Sequence, residues 1–92
     1  MIRSFADRDA EGLFHDRPVR HFAAIERSIR RKLLLLDSAS KLDDLKVPPG
    51  NRLEALRGNR AGQFSIRVND QWRICFKWVE GEVHDVAIVD YH

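Results

Sequence analysis

The sequence predicts an α+β domain in which helices from the N-terminal half pack on one face of a small, twisted antiparallel β-sheet. Apolar residues recur at three- and four-residue spacing over residues 22–36, which is the period of an amphipathic helix. After residue 52, apolar and polar residues alternate in consecutive segments separated by turns, which is typical of an antiparallel meander. The chain has 92 residues, which is enough for one hydrophobic core, so we expect a single domain over residues 1–92.

The composition excludes several classes of protein. Hydrophobic residues make up 43% and charged residues 33%, which is too apolar for a disordered chain and too charged for a membrane protein. The single cysteine, Cys75, is predicted to be a small buried hydrophobe. We expect a cytoplasmic protein with no membrane partner and no cofactor, because we find no apolar signal core, zinc-ligand spacing or glycine-rich phosphate loop in the sequence.

The first 36 residues contain a short strand, a loop and the main helix. Residues 2–5 are predicted to form an edge strand, and residues 6–21 a mobile loop with one helical turn at Asp9–Phe14. The helix over residues 22–36 presents one apolar stripe, which two further leucines widen near its end, so we expect that end to be the more buried. The stripe consists of Phe22, Ile25, Ile29, Leu33 and Leu36.

The remaining residues form one short helix and then the sheet. Ser40 and Asp43 have the spacing of a capping box, which predicts a helix over residues 41–45 that Pro48 and Pro49 end. Alternation beyond this point predicts one sheet face packed against the main helix and a second face that is polar. The strands are predicted over residues 52–57, 64–68, 72–78 and 83–91.

Arginine dominates the positive charge of the chain. It has twelve arginines and four lysines, although its net charge is only +2. Residues 52–77 contain six cationic residues against two acidic ones, so the predicted sheet is more basic than the rest. A basic sheet face suits a nucleic-acid backbone, because the planar arginine side chain matches phosphate geometry. A solvated polar face and an arginine-rich coding bias account for the same residues, and charge alone leaves these alternatives open.

Four residues of the predicted sheet form a set that could cleave RNA. They are Glu54 in the first strand, Arg73 in the third, and Asp90 and His92 at the end of the chain, on one face of the last strand by period two. A base can take the proton of a ribose 2′-hydroxyl, a cation can stabilise the phosphorane, and an acid can protonate the leaving oxygen. Taken alone, the final Tyr-His pair would be an ordinary frayed end.

The sequence also resembles a known family. Residues 52–76 read RLEALRGNRAGQFSIRVNDQWRICF, and the chain closes with VDYH. Both strings resemble the HigB branch of the RelE/ParE toxin superfamily, also called plasmid maintenance system killer proteins. The resemblance implies a RelE-like fold of the microbial ribonuclease type. It also implies a bacterial toxin that enters the ribosomal A site and cuts messenger RNA without a metal, which would inhibit translation and growth.

The resemblance assigns roles to individual residues. Arg73 matches the arginine that contacts the scissile phosphate, His92 matches the general acid, and Asp90 and Tyr91 match residues that orient it or contact RNA. Glu54 is a departure, because some relatives carry histidine there, although the related YoeB toxins use a glutamate as the base. Arg57 stands where several relatives have lysine. The expected RNA-binding residues are Arg57, Arg60, Arg67, Lys77 and Tyr91.

The resemblance implies partners and leaves an alternative function. The partners would be a helix-turn-helix antitoxin of the HigA type, the ribosome with its messenger RNA, and operator DNA bound through the antitoxin complex. The alternative is a non-catalytic toxin on the same fold, as in the ParE relatives that inhibit DNA gyrase, or a module that only binds RNA or the ribosome.

Overall fold

The computed structural model describes residues 1–90, and within them four strands form one antiparallel sheet in the order β1-β2-β3-β4. Two α-helices precede the sheet and share its core, so the predicted α+β class is confirmed. The helices are α1 (Arg8–Phe14) and α2 (Glu26–Ser38). The strands are β1 (Glu54–Ala55), β2 (Gln63–Arg67), β3 (Trp72–Val79) and β4 (Glu82–Asp90). Short 3-10 helices lie at Arg20–Ile25, Leu42–Lys46, Pro49–Asn51 and Gly58–Arg60.

The apolar stripe of α2 packs on one sheet face as predicted, but the helix itself is displaced along the chain. Ile29, Leu33 and Leu36 are fully buried in the core. The α-helix begins at Glu26 rather than residue 22, because its N-cap Ile25 has a non-helical backbone with φ −123° and ψ 14° and residues 20–25 form a 3-10 helix. The expectation that the C-terminal end is more buried is wrong for Leu34, which is 61% exposed.

Residues 6–21 are not only a loop, because α1 occupies Arg8–Phe14 and buries Leu13 in the core. Asp7 caps this helix: its Oδ1 accepts a hydrogen bond from the backbone N–H of Ala10 at 2.6 Å. Its Oδ2 accepts from the N–H of Ile88 at 2.9 Å, which ties the helix to β4. The helical turn predicted at Asp9–Phe14 is therefore confirmed as part of the longer helix α1, and the mobility of the segment stays a prediction.

Residues 2–5 lie beside β4 through isolated parallel bridges, Ile2 with Val83 and Phe5 with Val86, rather than as a full strand.

The predicted capping box is wrong by one residue. Asp44, not Asp43, accepts hydrogen bonds from the backbone N–H groups of Ser40 and Lys41, and these bonds lower the pKa of its carboxyl.

The segment between α2 and the sheet is fixed by a buried amide. Asn51 is fully buried, and its Nδ2 donates to the carbonyls of Leu45 and Val47, each at 3.2 Å. Its Oδ1 accepts a hydrogen bond from Lys32 on α2. The predicted first strand over residues 52–57 is reduced to Glu54–Ala55, because this anchored segment leads directly into a very short pairing with β2.

The sheet register contains one irregularity, in β4. Cys75 pairs with Ala87, but Lys77 pairs with His84, so β4 carries one extra residue at this point. Asp85 has a left-handed backbone with φ 54°, as residues in such bulges often do. The bulge changes which residues of β4 face the core: Val83, Val86 and Ile88 are buried there.

Candidate active site

The candidate site is built on the sheet face that points away from the helices. Glu54 of β1 pairs with Ser65 of β2, and Ser65 pairs with Cys75 of β3. Directly paired residues in antiparallel strands project to the same face, so these three side chains form one row across the sheet. Arg73 lies two residues before Cys75 on β3, and so on the same face.

Arg73 is held by hydrogen bonds along one edge of its guanidinium. Its Nε donates to Oγ of Ser65 at 2.7 Å, and its Nη2 donates to the carbonyl of Arg52 at 2.6 Å and to that of Ser65 at 3.4 Å. The residue is only 7% exposed. Its guanidinium is therefore fixed in orientation beside the row of Glu54, Ser65 and Cys75.

The expectation of an open, solvated polar face is wrong at the centre of the sheet. Ser65 and Cys75 are fully buried, and Arg73 nearly so. The reason is a contact between residues 21 positions apart: Arg52, which precedes β1, brings its carbonyl onto Arg73 and helps to close this part of the face. The buried state predicted for Cys75 is confirmed.

A surface pocket of about 450 Å³ lies next to this row. It combines one carboxylate with two arginines, so a phosphate and a proton-accepting group could be contacted at the same place. Arg60 is oriented by a hydrogen bond from its Nη1 to Oε1 of Gln63 at 3.1 Å. The described residues lining the pocket are Glu54, Ala55, Leu56, Arg57 and Arg60.

Three charged residues of the site affect the pKa of the Cys75 thiol. Burial raises the pKa of the Cys75 thiol, and the nearby arginines Arg60 and Arg73 oppose this rise, whereas Glu54 adds to it. A neutral buried thiol is therefore surrounded by two guanidinium groups and one carboxylate. The structure thus brings together Glu54, Arg60 and Arg73 and places Arg57 on the adjoining pocket wall.

Two predicted RNA-binding residues form ion pairs within the chain. Arg67, which pairs with Arg73 in the sheet register, contacts the exposed Asp70. Lys77 lies 3.2 Å from Asp85 at the β4 bulge, further along β3 from Arg73. Each ion pair includes at least one exposed side chain. Little free energy is therefore needed to break either pair when a phosphate competes for the cation.

The structure does not bring Asp90 next to Arg73 through the sheet register. Asp90 pairs with Trp72, and Arg73 pairs with Val89, so Asp90 leaves the sheet on the opposite face. One of its carboxylate oxygens accepts a hydrogen bond from Nε2 of Gln71 at 3.1 Å. The roles predicted for Tyr91 and His92 concern residues that lie outside the described part of the chain.

The sequence analysis missed the groups that orient Arg73. Ser65 was placed on the polar face by alternation, but its pairing partner and its contact with Arg73 depend on strand register, which no local pattern encodes. The Arg52 carbonyl reaches Arg73 because Arg52 has a left-handed backbone with φ 46° and ψ 56°. An arginine gives no sequence signal for that conformation.

Within residues 1–90, no group of three histidine, cysteine, aspartate or glutamate side chains is placed to hold a metal ion. In the same part of the chain, no helix has the length and apolar character needed to cross a membrane.

The fold is shared with solved structures of other proteins. YafQ from E. coli superposes with a TM-score of 0.65 at 12% identity, covering 98% of this chain and 91% of YafQ. A chain of the heterotetrameric YoeB–YefM toxin–antitoxin complex from Staphylococcus aureus gives a TM-score of 0.62 at 18% identity, covering 100% of this chain and 98% of that one. The chain therefore has the same class of small α+β fold as these proteins.

Sequence comparison identifies the family within this class. The family model for RelE-like toxins of the type II toxin–antitoxin system HigB matches residues 3–92. Toxin HigB-1 from Vibrio cholerae is 45% identical over 84 residues, which cover 88% of this chain and 87% of the relative. Endoribonuclease HigB from Proteus vulgaris is 31% identical over 94 residues and is covered completely. The chain belongs to the HigB-like toxin family, and as a type II toxin it has an antitoxin partner.

Proposed function

We propose that this toxin cleaves messenger RNA in the ribosomal A site by attack of a ribose 2′-hydroxyl on the adjacent phosphorus, without a metal ion. Its class as an endoribonuclease follows from the family, which includes Endoribonuclease HigB of Proteus vulgaris. The observation that carries the proposal is the fixed guanidinium of Arg73 on the same sheet face as Glu54, beside a pocket with Arg57 and Arg60.

The proposed reaction assigns one task to each group. Glu54 takes the proton of the 2′-hydroxyl, whose oxygen forms a bond to phosphorus while the bond from phosphorus to the 5′-oxygen breaks. Arg73 binds the scissile phosphate and stabilises the charge that accumulates on its oxygens. His92 donates a proton to the departing 5′-oxygen, and Asp90 and Tyr91 orient it or contact RNA. The products are a 2′,3′-cyclic phosphate and a free 5′-hydroxyl.

The remaining cations are proposed to bind the RNA backbone. Arg57 and Arg60 line the pocket itself, whereas Arg67 and Lys77 would exchange their carboxylate partners for phosphates further along the sheet. The ribosome would hold the messenger in the geometry that the reaction needs, so a domain of this size requires no deep substrate cleft. The toxin would act in the cytoplasm, where ribosomes are found.

The partner is proposed to be a helix-turn-helix antitoxin of the HigA type, encoded beside the toxin. The toxin–antitoxin complex would bind operator DNA through that antitoxin, and free toxin would act when the antitoxin is lost. Co-expression of the neighbouring reading frame tests this directly: it should rescue growth and co-purify with the toxin.

The test of the activity is to map messenger RNA ends by primer extension, with and without ribosomes. The wild type should produce new 5′-hydroxyl ends at A-site codons only with ribosomes present, and Arg73→Ala and His92→Ala should abolish them. Identical ends in all three proteins would overturn the nuclease proposal. Growth inhibition that survives both substitutions would instead support a non-catalytic toxin of the ParE type.

A further inference from the structure

Ser65 is a fully buried polar residue that, beyond its strand pairing, contacts the guanidinium of Arg73. Its hydroxyl oxygen accepts from Nε of Arg73 at 2.7 Å, and its carbonyl accepts from Nη2 at 3.4 Å. Bonds to Nε and Nη2 engage one edge of the planar guanidinium. Because the group is rigid, these bonds also fix the direction of the edge formed by Nη1 and Nη2.

The Arg52 carbonyl adds to this support of the Arg73 guanidinium. It accepts from Nη2 at 2.6 Å, and it reaches that position because Arg52 adopts a left-handed backbone. The preceding residue, Asn51, is fully buried and bonds the carbonyls of Leu45 and Val47. Arg52, whose backbone conformation is strained, therefore directly follows the anchored Asn51. Strained backbone conformations of this kind often occur at functional sites.

We propose that Ser65 is a positioning residue for cleavage: its hydroxyl, with the Arg52 carbonyl, holds the Arg73 guanidinium at the angle at which it meets the scissile phosphate. This inference rests on the proposed function, in which Arg73 stabilises the phosphorane. Without the hydroxyl, Arg73 keeps its charge, its backbone position and the bonds from Nη2 to the carbonyls of Arg52 and Ser65, but it loses the bond from Nε. Substrate binding through Arg57 and Arg60 is retained, so the chemical step is affected more than binding.

The test compares Ser65→Ala and Ser65→Cys with a matched control, Ser4→Ala. Ser4 also has a hydrogen-bonded, partly buried hydroxyl, but it contacts Asp85 at the β4 bulge, away from the pocket. Ser65→Cys preserves the size of the side chain while replacing oxygen with a weak acceptor, so it tests the proposal even if Ser65→Ala does not fold. Cleavage of messenger RNA on programmed ribosomes gives kcat and KM for each variant.

Both Ser65 variants are expected to lower kcat by about 10- to 100-fold with KM changed by less than about threefold, as for a misplaced catalytic group. Ser4→Ala should keep the wild-type kcat. A Ser65→Cys protein that is folded and cleaves at the wild-type rate would overturn the proposal.

A spectroscopic readout separates positioning from a general loss of stability. In ¹⁵N-labelled protein, the Nε–Hε signal of Arg73, assigned by its disappearance in Arg73→Lys, should exchange slowly with water in the wild type. It should exchange faster in Ser65→Cys, whereas Ser4→Ala should leave it unchanged. Equal exchange rates in the wild type and Ser65→Cys would contradict the proposed role.

The two proposals fail in distinguishable ways. If Arg73→Ala cleaves as well as the wild type, the proposed reaction is wrong and Ser65 has no catalytic group to position. If Arg73→Ala is inactive while both Ser65 variants keep the wild-type kcat, the proposed function stands and only the role of Ser65 is refuted.

Discussion

Glu54 lies directly opposite Ser65 in the antiparallel pair of β1 and β2, and Ser65 bonds the guanidinium of Arg73. Opposed residues in such a pair have Cα atoms about 4.5–5.5 Å apart. The proposed base, Glu54, is therefore carried by β1 and the proposed phosphate-binding group, Arg73, by β3, and Ser65 lies on β2 between these two strands. Their spacing is set by backbone pairing, which gives the site a rigid base even though Glu54 itself is exposed.

Replacing Glu54 with glutamine should remove the proton acceptor while keeping the shape of the side chain. We expect the rate of messenger RNA cleavage on ribosomes to fall by about 10²- to 10⁴-fold, the usual contribution of a general base. Single-turnover cleavage measures this rate. Glu80→Gln, a similar change in the exposed turn between β3 and β4, is the control and should cleave normally. A Glu54→Gln rate within threefold of the wild type would assign the base elsewhere.

Arg57 lines the pocket and is exposed, so its contribution should be electrostatic. Arg57→Ala is expected to weaken binding to messenger-programmed ribosomes and to reduce the slope of log K against log salt by about 0.7, the effect of one phosphate contact to a single strand. Binding is measured in a Glu54→Gln background to prevent cleavage. Arg27→Ala, on the exposed surface of α2, is the matched control. If Arg27→Ala changed the slope as much as Arg57→Ala, the pocket arginine would bind RNA no more specifically than an arginine elsewhere on the surface.

Cys75 should make stability depend on pH above neutrality. Burial raises the pKa of its thiol above the ordinary value of 9.0 that it regains on unfolding. Below pH 9.0 the thiol is protonated in both states, so its contribution is fully present there. As the pH rises further, the unfolded state loses the proton first, and the free energy of unfolding falls until the folded thiol also ionises.

Urea unfolding of the wild type and Cys75→Ala at pH 8 and pH 10 tests this contribution. Groups common to both proteins cancel in the difference between their free energies of unfolding. Raising the pH from 8 to 10 should lower the free energy of unfolding of the wild type relative to that of Cys75→Ala. A difference that is constant, or that shifts in favour of the wild type, would contradict an elevated thiol pKa.

Local periodicity was sufficient to predict α2 and the β2–β3–β4 meander, because one face of each element packs in the same core. The capping signal of α1 was also present in the sequence: Asp7 precedes a first turn that contains Asp9 and Glu11. It supports the helical turn predicted at Asp9–Phe14, which lies within the seven-residue helix α1 and is stabilised by the packing of Leu13.

The candidate site was only partly predictable, for two physical reasons. Arg73 is buried by contact with Arg52, and no local pattern indicates that a segment 21 residues away will cover a strand. Counting by twos along β4 also fails at Asp85, because the bulge inserts one residue and shifts the later side chains to the other face. Asp90 consequently lies on the face opposite to Arg73.

Asn51, which anchors the segment before β1, should contribute to the free energy of unfolding. Asn51→Ala would leave the carbonyls of Leu45 and Val47 without this donor, and we expect the free energy of unfolding to fall by about 2–3 kcal/mol. Lys32→Met removes the other partner of Asn51 but should cost only about 1 kcal/mol or less. Burial lowers the pKa of the Lys32 ammonium, and Arg31 and Arg67 lower it further, so removing that charge also relieves an unfavourable environment.

Urea unfolding at pH 7 measures both losses, and the order of the two variants is the decisive result. If Lys32→Met were as destabilising as Asn51→Ala, the ion–amide contact to α2 would hold the segment, and the bonds to Leu45 and Val47 would be secondary. If Asn51→Ala lost less than about 0.5 kcal/mol, the segment would be anchored by its apolar packing instead, since an unsatisfied buried carbonyl alone costs more than that. The fixed position of Arg52, and through it that of Arg73, depends on which of these contacts dominates.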